Sequence, residues 1–215
     1  MSFAHAKPEP RASRIDHTGR ILEAAIACFS RSGFHGASMQ EICAEAQMSP
    51  GALYRYFPSK ESIIEAIAMA QRERDAAMLA SFEGEGPVMP RLMDSGITHM
   101  REMMAGPLAG LCSEVLAEGH RNPKIRAAFE ENHQIALKAV HAALERAKLQ
   151  GEIDPALDLN GTLPIIMSMF DGILIRSGFD PAMTMERIEP ALRDILERIV
   201  SPKLPRAPAA VPSGV

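Results

Sequence analysis

Apolar residues return at helical spacing along almost the whole chain. Leu22, Ala25, Ile26 and Phe29 fall at i, i+3, i+4 and i+7, one stripe of an amphipathic helix. Ahead of them Ser13 and Asp16 have the S-x-x-D spacing of a capping box and predict the helix start. Gly33 stands where the end of that helix requires a positive φ. Met39, Ile42, Cys43 and Ala46 repeat the stripe over two turns, behind a second box made by Ser38 and Glu41. Ser49-Pro50, a capping hydroxyl followed by proline at the first helical position, opens a third helix. So short a joint between the second and third helices forbids antiparallel packing. The pair must cross steeply, as a helix-turn-helix.

Pro58-Ser59 closes this unit and caps a longer helix over Lys60 to Phe82. After Gly84, Gly86 and Pro87, helical patterns cover Met89 to Met104, Pro107 to Glu118, Pro123 to Leu149, Pro155 to Ser177 and Thr184 to Val200. Gly106-Pro107, Asn122-Pro123, Asp154-Pro155 and Asp180-Pro181 mark the breaks. Strand-forming runs of Val, Thr and aromatics are hard to find. The expected fold is all-α: an N-terminal three-helix helix-turn-helix domain over 13–63 and a C-terminal helical bundle over 64–200. A polar arm, 1–12, and a proline-rich tail, 201–215, are expected to be disordered.

Composition narrows the class. The 215 residues are 47% apolar and 23% charged, which suits a sizeable core and excludes global disorder. Cys28, Cys43 and Cys112 are scattered, odd in number and without C-x-x-C spacing. They read as buried thiols in a reducing compartment, and neither a disulfide nor a zinc site is expected. The first residues lack the apolar stretch of a signal peptide. The longest apolar run, Leu163 to Ile175, is interrupted by Pro164, Asp171 and Gly172 and is too short to span a bilayer. A cytoplasmic protein with no membrane partner is expected. The net charge of −4 argues weakly against nucleic acid, but the acidic excess lies after Ile63, and the segment up to Ile63 carries seven basic against six acidic residues.

The stretch from Gly33 to Glu65, GFHGASMQEICAEAQMSPGALYRYFPSKESIIE, resembles the DNA-binding half of the TetR family. The pattern stands here as Gly33-Phe34, Ala37-Ser38, Ile42, Ala46, Ser49, Gly51, Leu53-Tyr54, Phe57 and Lys60-Glu61. With the first helix the match runs over about Arg14 to Ile67, a quarter of the chain. Gln47 departs from the glycine usual at that turn. The resemblance implies a transcription repressor that acts as a homodimer on double-stranded operator DNA and leaves it when a small-molecule effector binds, with no cofactor and no metal. It also implies an effector pocket in the bundle and a dimer interface built by the last two helices.

The residues agree with that implication. In the third helix Leu53 and Phe57 lie one turn apart and face the core. Gly51, Ala52 and Arg55 share the opposite side, flanked by Tyr54 and Tyr56. Small residues around Ser49, Pro50, Gly51 and Ala52 let the backbone approach a major groove, and Arg55 is long enough to read a guanine edge. Ser38, Tyr54, Tyr56 and Lys60 suit phosphate binding, as do the helix N-termini, and Gln47 sits at the turn between the two helices. Arg55 as a phosphate contact is an equal alternative, and out of this context the tyrosines would be ordinary half-buried aromatics.

Farther along, methionine is frequent. Met93, Met100, Met103, Met104 and Met167, with Phe170, suit an adaptable apolar pocket for a hydrophobic effector, although core filling explains each as well. Cys112, His99 and His133 offer polar handles. On the last helix Met185, Ile188, Leu192, Ile195 and Ile199 form a stripe, and the preceding helix, with Ile166 and Ile173, is apolar around most of its circumference. These are the expected dimer-forming residues. The rival class is a helical-bundle ligand- or metal-binding protein or enzyme without DNA recognition. Glu130-x-x-His133 has the spacing of half a di-iron site, but that chemistry needs two such motifs, and no nucleotide-binding or hydrolase motif is present. No enzymatic activity is expected.

Overall fold

Every regular element among the described residues is a helix. The computed structural model describes residues 11–106 and 108–201, with backbone alone for 11–16. The helices are α1 (Arg11–Gly36), α2 (Met39–Glu45), α3 (Pro50–Tyr56), α4 (Lys60–Ser81), α5 (Val88–Ala105), α6 (Leu108–Gly119), α7 (Pro123–Leu149), α8 (Leu159–Ser177) and α9 (Met185–Val200). The segments expected to be disordered, 1–12 and 201–215, lie outside the described residues except for the backbone of Arg11 and Ala12 and for Ser201. No helix among those described is long and apolar enough to cross a membrane.

Local chemistry sets most of these boundaries. Ser38 and Glu41 form the expected box, with Glu41 N–H donating to Ser38 Oγ at 3.1 Å and Ser38 N–H to Glu41 Oε2 at 2.7 Å. Ser49 caps α3 by accepting from Ala52 N–H at 3.3 Å, with Pro50 behind it. Thr184 stands as the N-cap residue of α9. Two starts differ from expectation. The first helix is already formed at Arg11, ahead of Ser13. The helix expected from Pro155 begins at Leu159, because Asp154 closes a turn instead, its Oδ1 accepting from Ala156 N–H at 2.8 Å.

The hydrophobic interior divides into three groups. The first joins Ile21, Phe29, Ile42 and Leu53 of α1–α3 to Ile63, Ile64 and Ile67 of α4, and runs on to Leu111 and Val115 of α6 and Ile125 of α7. The helix-turn-helix therefore shares its core with the body. The second gathers Phe82, Val88, Leu144, Ala147, Ile153 and Leu163, and the third Met93, Ile97, Met100, Ile166, Leu174, Leu192 and Leu196. Glu152 fastens α5 to α7: its two carboxylate oxygens accept the first N–H groups of α5, from Val88 at 2.7 Å and Met89 at 2.8 Å.

Gly33 bends α1 with φ 71° and ψ 166°, a conformation essentially closed to residues with a Cβ. An added Cβ would also meet Glu114 Oε2 at 2.9 Å, but that carboxylate can swing aside. The backbone term therefore decides the outcome. Gly33→Ala is expected to cost about 1–3 kcal/mol, seen as a lowered melting temperature, and the cost should persist in a Glu114→Ala background. An unchanged melting temperature would show that the bend relaxes freely.

Candidate DNA-binding face and effector cavity

The turn between α2 and α3 is fixed by backbone bonds. Met48 N–H donates to Cys43 O at 2.9 Å and Gln47 N–H to Ala44 O at 3.1 Å, the paired pattern that closes a helix around one left-handed residue. Gln47 is that residue, with φ 53°, the one non-glycine at positive φ among the described residues. Arg20 from α1 donates to the C-terminal end of α2, at Ala46 O, over 2.6 Å. Leu53 and Phe57 then seat α3 in the first core, and Pro50, Gly51, Tyr54 and Arg55 face outward.

On that outer side Ser49, Pro50, Gly51 and Arg55 are exposed, Ala52 is half-buried, and Tyr54 is 51% exposed. Ser38 and Gln47 are exposed beside them. Tyr56 is turned partly inward, its ring 6.0 Å from that of His17 and packed against the first core. Lys60 has a different setting from the solvent-facing one its sequence position suggests. Its ammonium donates to Phe34 O at 2.5 Å, Ala37 O at 2.8 Å and His35 O at 3.5 Å, and sits 4.7 Å from the centre of the Phe34 ring. The ammonium thus serves carbonyls at the C-terminal end of α1, where no following helical N–H remains to take them.

A cavity of about 240 Å³ lies between α4, α5, α7, α8 and α9. Met93, Met100, Met103, Met167 and Phe170 line it, as the sequence suggested. Cys112 and His133 instead line a neighbouring cavity of about 510 Å³ between α4, α6 and α7, which shares Met103 and Asp171 with the first. Met104 lines neither and packs against the third core. Asp75 and Asp171, not singled out in the sequence, are the carboxylates of the first cavity, and burial raises the pKa of both above the ordinary aspartate value. Burial, reinforced by the Asp171 carboxylate, pushes the Cys112 thiol up to about 11. No signal of spacing marks these acids in the chain. Among the described residues no group of three or more His, Cys, Asp or Glu is placed to hold a metal ion.

The expected dimer residues fall mostly inside the protomer. Leu192 is 3% exposed and Ile166 8%, both in the third core, and Ile173, Ile188 and Ile199 are partly buried against it. Of the six, Ile195 alone is exposed, at 45%. The outer face of α8 presents a different line, Gly161, Ile165, Ser168 and Gly172, with Ile165 67% exposed, and the turn just past its end adds Phe179, 72% exposed. The most regular apolar stripe on α9 packs on α5, because a terminal helix must first bury a face against its own core.

Comparison with known proteins agrees with this geometry. The family model described as bacterial regulatory proteins, tetR family, matches residues 21–67. The HTH-type transcriptional regulator UidR of Escherichia coli K12 is 36% identical over 157 residues, covering 72% of this chain and 78% of that protein. The structure of Salmonella enterica GusR superposes with a TM-score of 0.69 at 29% identity, covering 86% of this chain and 96% of that one. FadR of Bacillus subtilis, solved with stearoyl-CoA, has a TM-score of 0.74 over 86% of this chain and 99% of its own, at 19% identity, a likeness of fold.

The setting of Lys60 generates a prediction. Lys60→Met removes a charged donor from otherwise unsatisfied carbonyls and is expected to cost about 2 kcal/mol of stability. The salt dependence of DNA binding by the folded variant should match that of the parent. A slope lowered by about one unit with no loss of stability would return Lys60 to the phosphate backbone.

Proposed function

The chain belongs to the TetR family of DNA-binding transcriptional regulators, which are not enzymes, and from that premise we propose that it is a dimeric cytoplasmic repressor released from a palindromic operator by a small molecule. The observation that carries the reading is the outer side of α3. It combines a capped start, small residues and the exposed Tyr54 and Arg55 on a helix held rigidly by Leu53 and Phe57. Residues 13–63 serve as the DNA-reading unit and 64–200 as the effector and dimer unit. Arg55 reads a base edge, while Ser38, Gln47, Ser49, Tyr54 and Tyr56 set the register on phosphates.

Dimerisation goes through the outer face of α8, joined by Ile195 of α9. Gly161, Ser168 and Gly172 allow close approach of a symmetry-related helix, and Ile165 and Phe179 supply apolar area that water otherwise covers. The effector occupies the body. Two helices connect it to the DNA-reading unit: α4, which begins at Lys60 and lines the first cavity from Asp75 to Phe82, and α6, which packs along α1 and lines the second cavity with Cys112 and Val115. Ligand and DNA therefore meet different surfaces and communicate through shared helices.

Footprinting should give a palindrome with half-sites about one helical turn, or a small multiple of it, apart. A single asymmetric half-site would overturn the dimeric reading. Arg55→Ala should weaken binding by about 1–3 kcal/mol and relax preference at one base position. A uniform loss across operator variants would make it a phosphate contact. Ile165→Asp combined with Phe179→Asp should give folded monomers in analytical ultracentrifugation, while Leu192→Asp should unfold the protomer. A persistent dimer in the double variant would exclude this face.

A further inference from the structure

Resting on the reading of the body as an effector site, we infer that the cavity between α4, α5, α7, α8 and α9 selects an organic cation: an amine or quaternary ammonium on a compact apolar frame. The walls are soft and mostly carbon, with Met93, Met100, Met167, Phe82 and Phe170 among them. The ionisable groups on them are Asp75, Asp171 and His99, and among the described residues neither Lys nor Arg lines the space. Asp75 Oδ1 accepts from Gln71 Nε2 at 2.7 Å, while His99 Nδ1 stands 3.7 Å away, beyond hydrogen-bond reach. Gln71 itself lines the neighbouring cavity and not this one, and its Oε1 is buried without a hydrogen-bond partner. The polar atoms are thus mainly acceptors, a pattern that asks the ligand for donors.

Charge decides among donors. Two partly buried carboxylates are held back from ionising by desolvation, and a cation placed against either one offsets that cost. A carboxylate or phosphate ligand would add a negative charge with no guanidinium or ammonium on this lining to receive it; Arg74 acts on Asp75 from the adjoining pocket, outside the lining. Cys112, beside Asp171, stays a thiol and adds no charge of its own. A hard metal ion would need six or more oxygens, whereas this lining is largely methionine and aliphatic. Phe82 and Phe170 bring aromatic rings to the lining, and a desolvated ammonium favours aromatic surroundings. At about 240 Å³ the space lies below the usual range for drug-sized ligands, which limits the frame to a single small apolar unit.

Calorimetry on the full chain with three matched probes tests this: 4-phenylbutylamine, 4-phenylbutan-1-ol and 4-phenylbutyrate at neutral pH. The amine should bind about tenfold or more tightly than either analogue. Asp75→Asn and Asp171→Asn should each weaken the amine by about tenfold and leave the alcohol unchanged. Both variants should melt no lower than the parent without ligand, since each removes a poorly solvated carboxylate, and either variant suffices if the other fails to fold. The inference falls if the alcohol or butyrate binds as well as the amine, if neither substitution affects the amine, or if no probe binds. Operator gel shifts separate it from the effector reading. An amine that binds with the stated preference yet leaves operator affinity unchanged removes the effector role and keeps the cation site. Release by the alcohol as readily as by the amine does the reverse.

Discussion

The end of α1 is where the architecture is decided. Gly33 turns the chain out of the helix while Phe34 and Ala37 must still bury their side chains, so polar backbone groups are left in a partly dry place. Two side chains from elsewhere satisfy them: Lys60 takes the carbonyls of Phe34 and Ala37, and Glu114 accepts the Phe34 N–H at 3.1 Å. Glu118, itself buried, adds a bond at 2.8 Å to His35 Nε2. One junction thereby ties α1 to the start of α4 and to the middle of α6. Leaving such groups unmet costs more than making the bonds gains, so the junction fixes geometry more than it adds stability.

That junction gives the DNA-reading helices a rigid mount on the body. Gly110 lets α6 approach α1 so closely that a Cβ there would meet Ser30 Cβ at 2.9 Å. Packing this tight transmits displacement, because neither helix can slide without moving the other. On its opposite side α6 exposes Val115 and Cys112 to the second cavity, and α4 exposes Asp75 and Met78 to the first. Under the proposed reading, this is the route by which a ligand that repositions either wall acts on the frame that holds α2 and α3.

Much of the fold was legible in the chain because it depends on local chemistry. Ser38, Glu41, Ser49 and Pro50 act within one helical turn of where they stand, so spacing alone locates α2 and α3. Gln47 was identifiable as strained by its position in the turn, and it has φ 53°. What spacing could not supply are partnerships across the chain. Lys60 reaches back 26 residues to Phe34 O, a contact that no periodicity encodes. Asp75 and Asp171 are adjacent to the cavity only because α4 and α8 fold onto it. The α9 stripe failed for a related reason: a regular apolar spacing says that a face is buried, not by which chain, and Leu192 is buried by its own.

The internal use of cations has a consequence for regulation. Arg20 serves Ala46 O, Arg31 pairs with Glu45 at 3.3 Å, and Lys60 is held by carbonyls, so three basic groups near the DNA-reading helices already have partners within the protein. Nonspecific affinity scales with the phosphates neutralised, so three groups already engaged within the protein contribute less to that electrostatic base than their positions suggest. In the proposed dimer, operator affinity then leans on shape, on aimed contacts from α3 and on having two such helices correctly spaced. Spacing is the quantity that, under that proposal, a ligand in the body alters through α4 and α6. A coupling of about 1–3 kcal/mol, ordinary between two sites of one protein, is a large fraction of a specific affinity built that way. A strongly basic face would keep hold of DNA through the same displacement, since diffuse charge tolerates misalignment and fitted contacts do not.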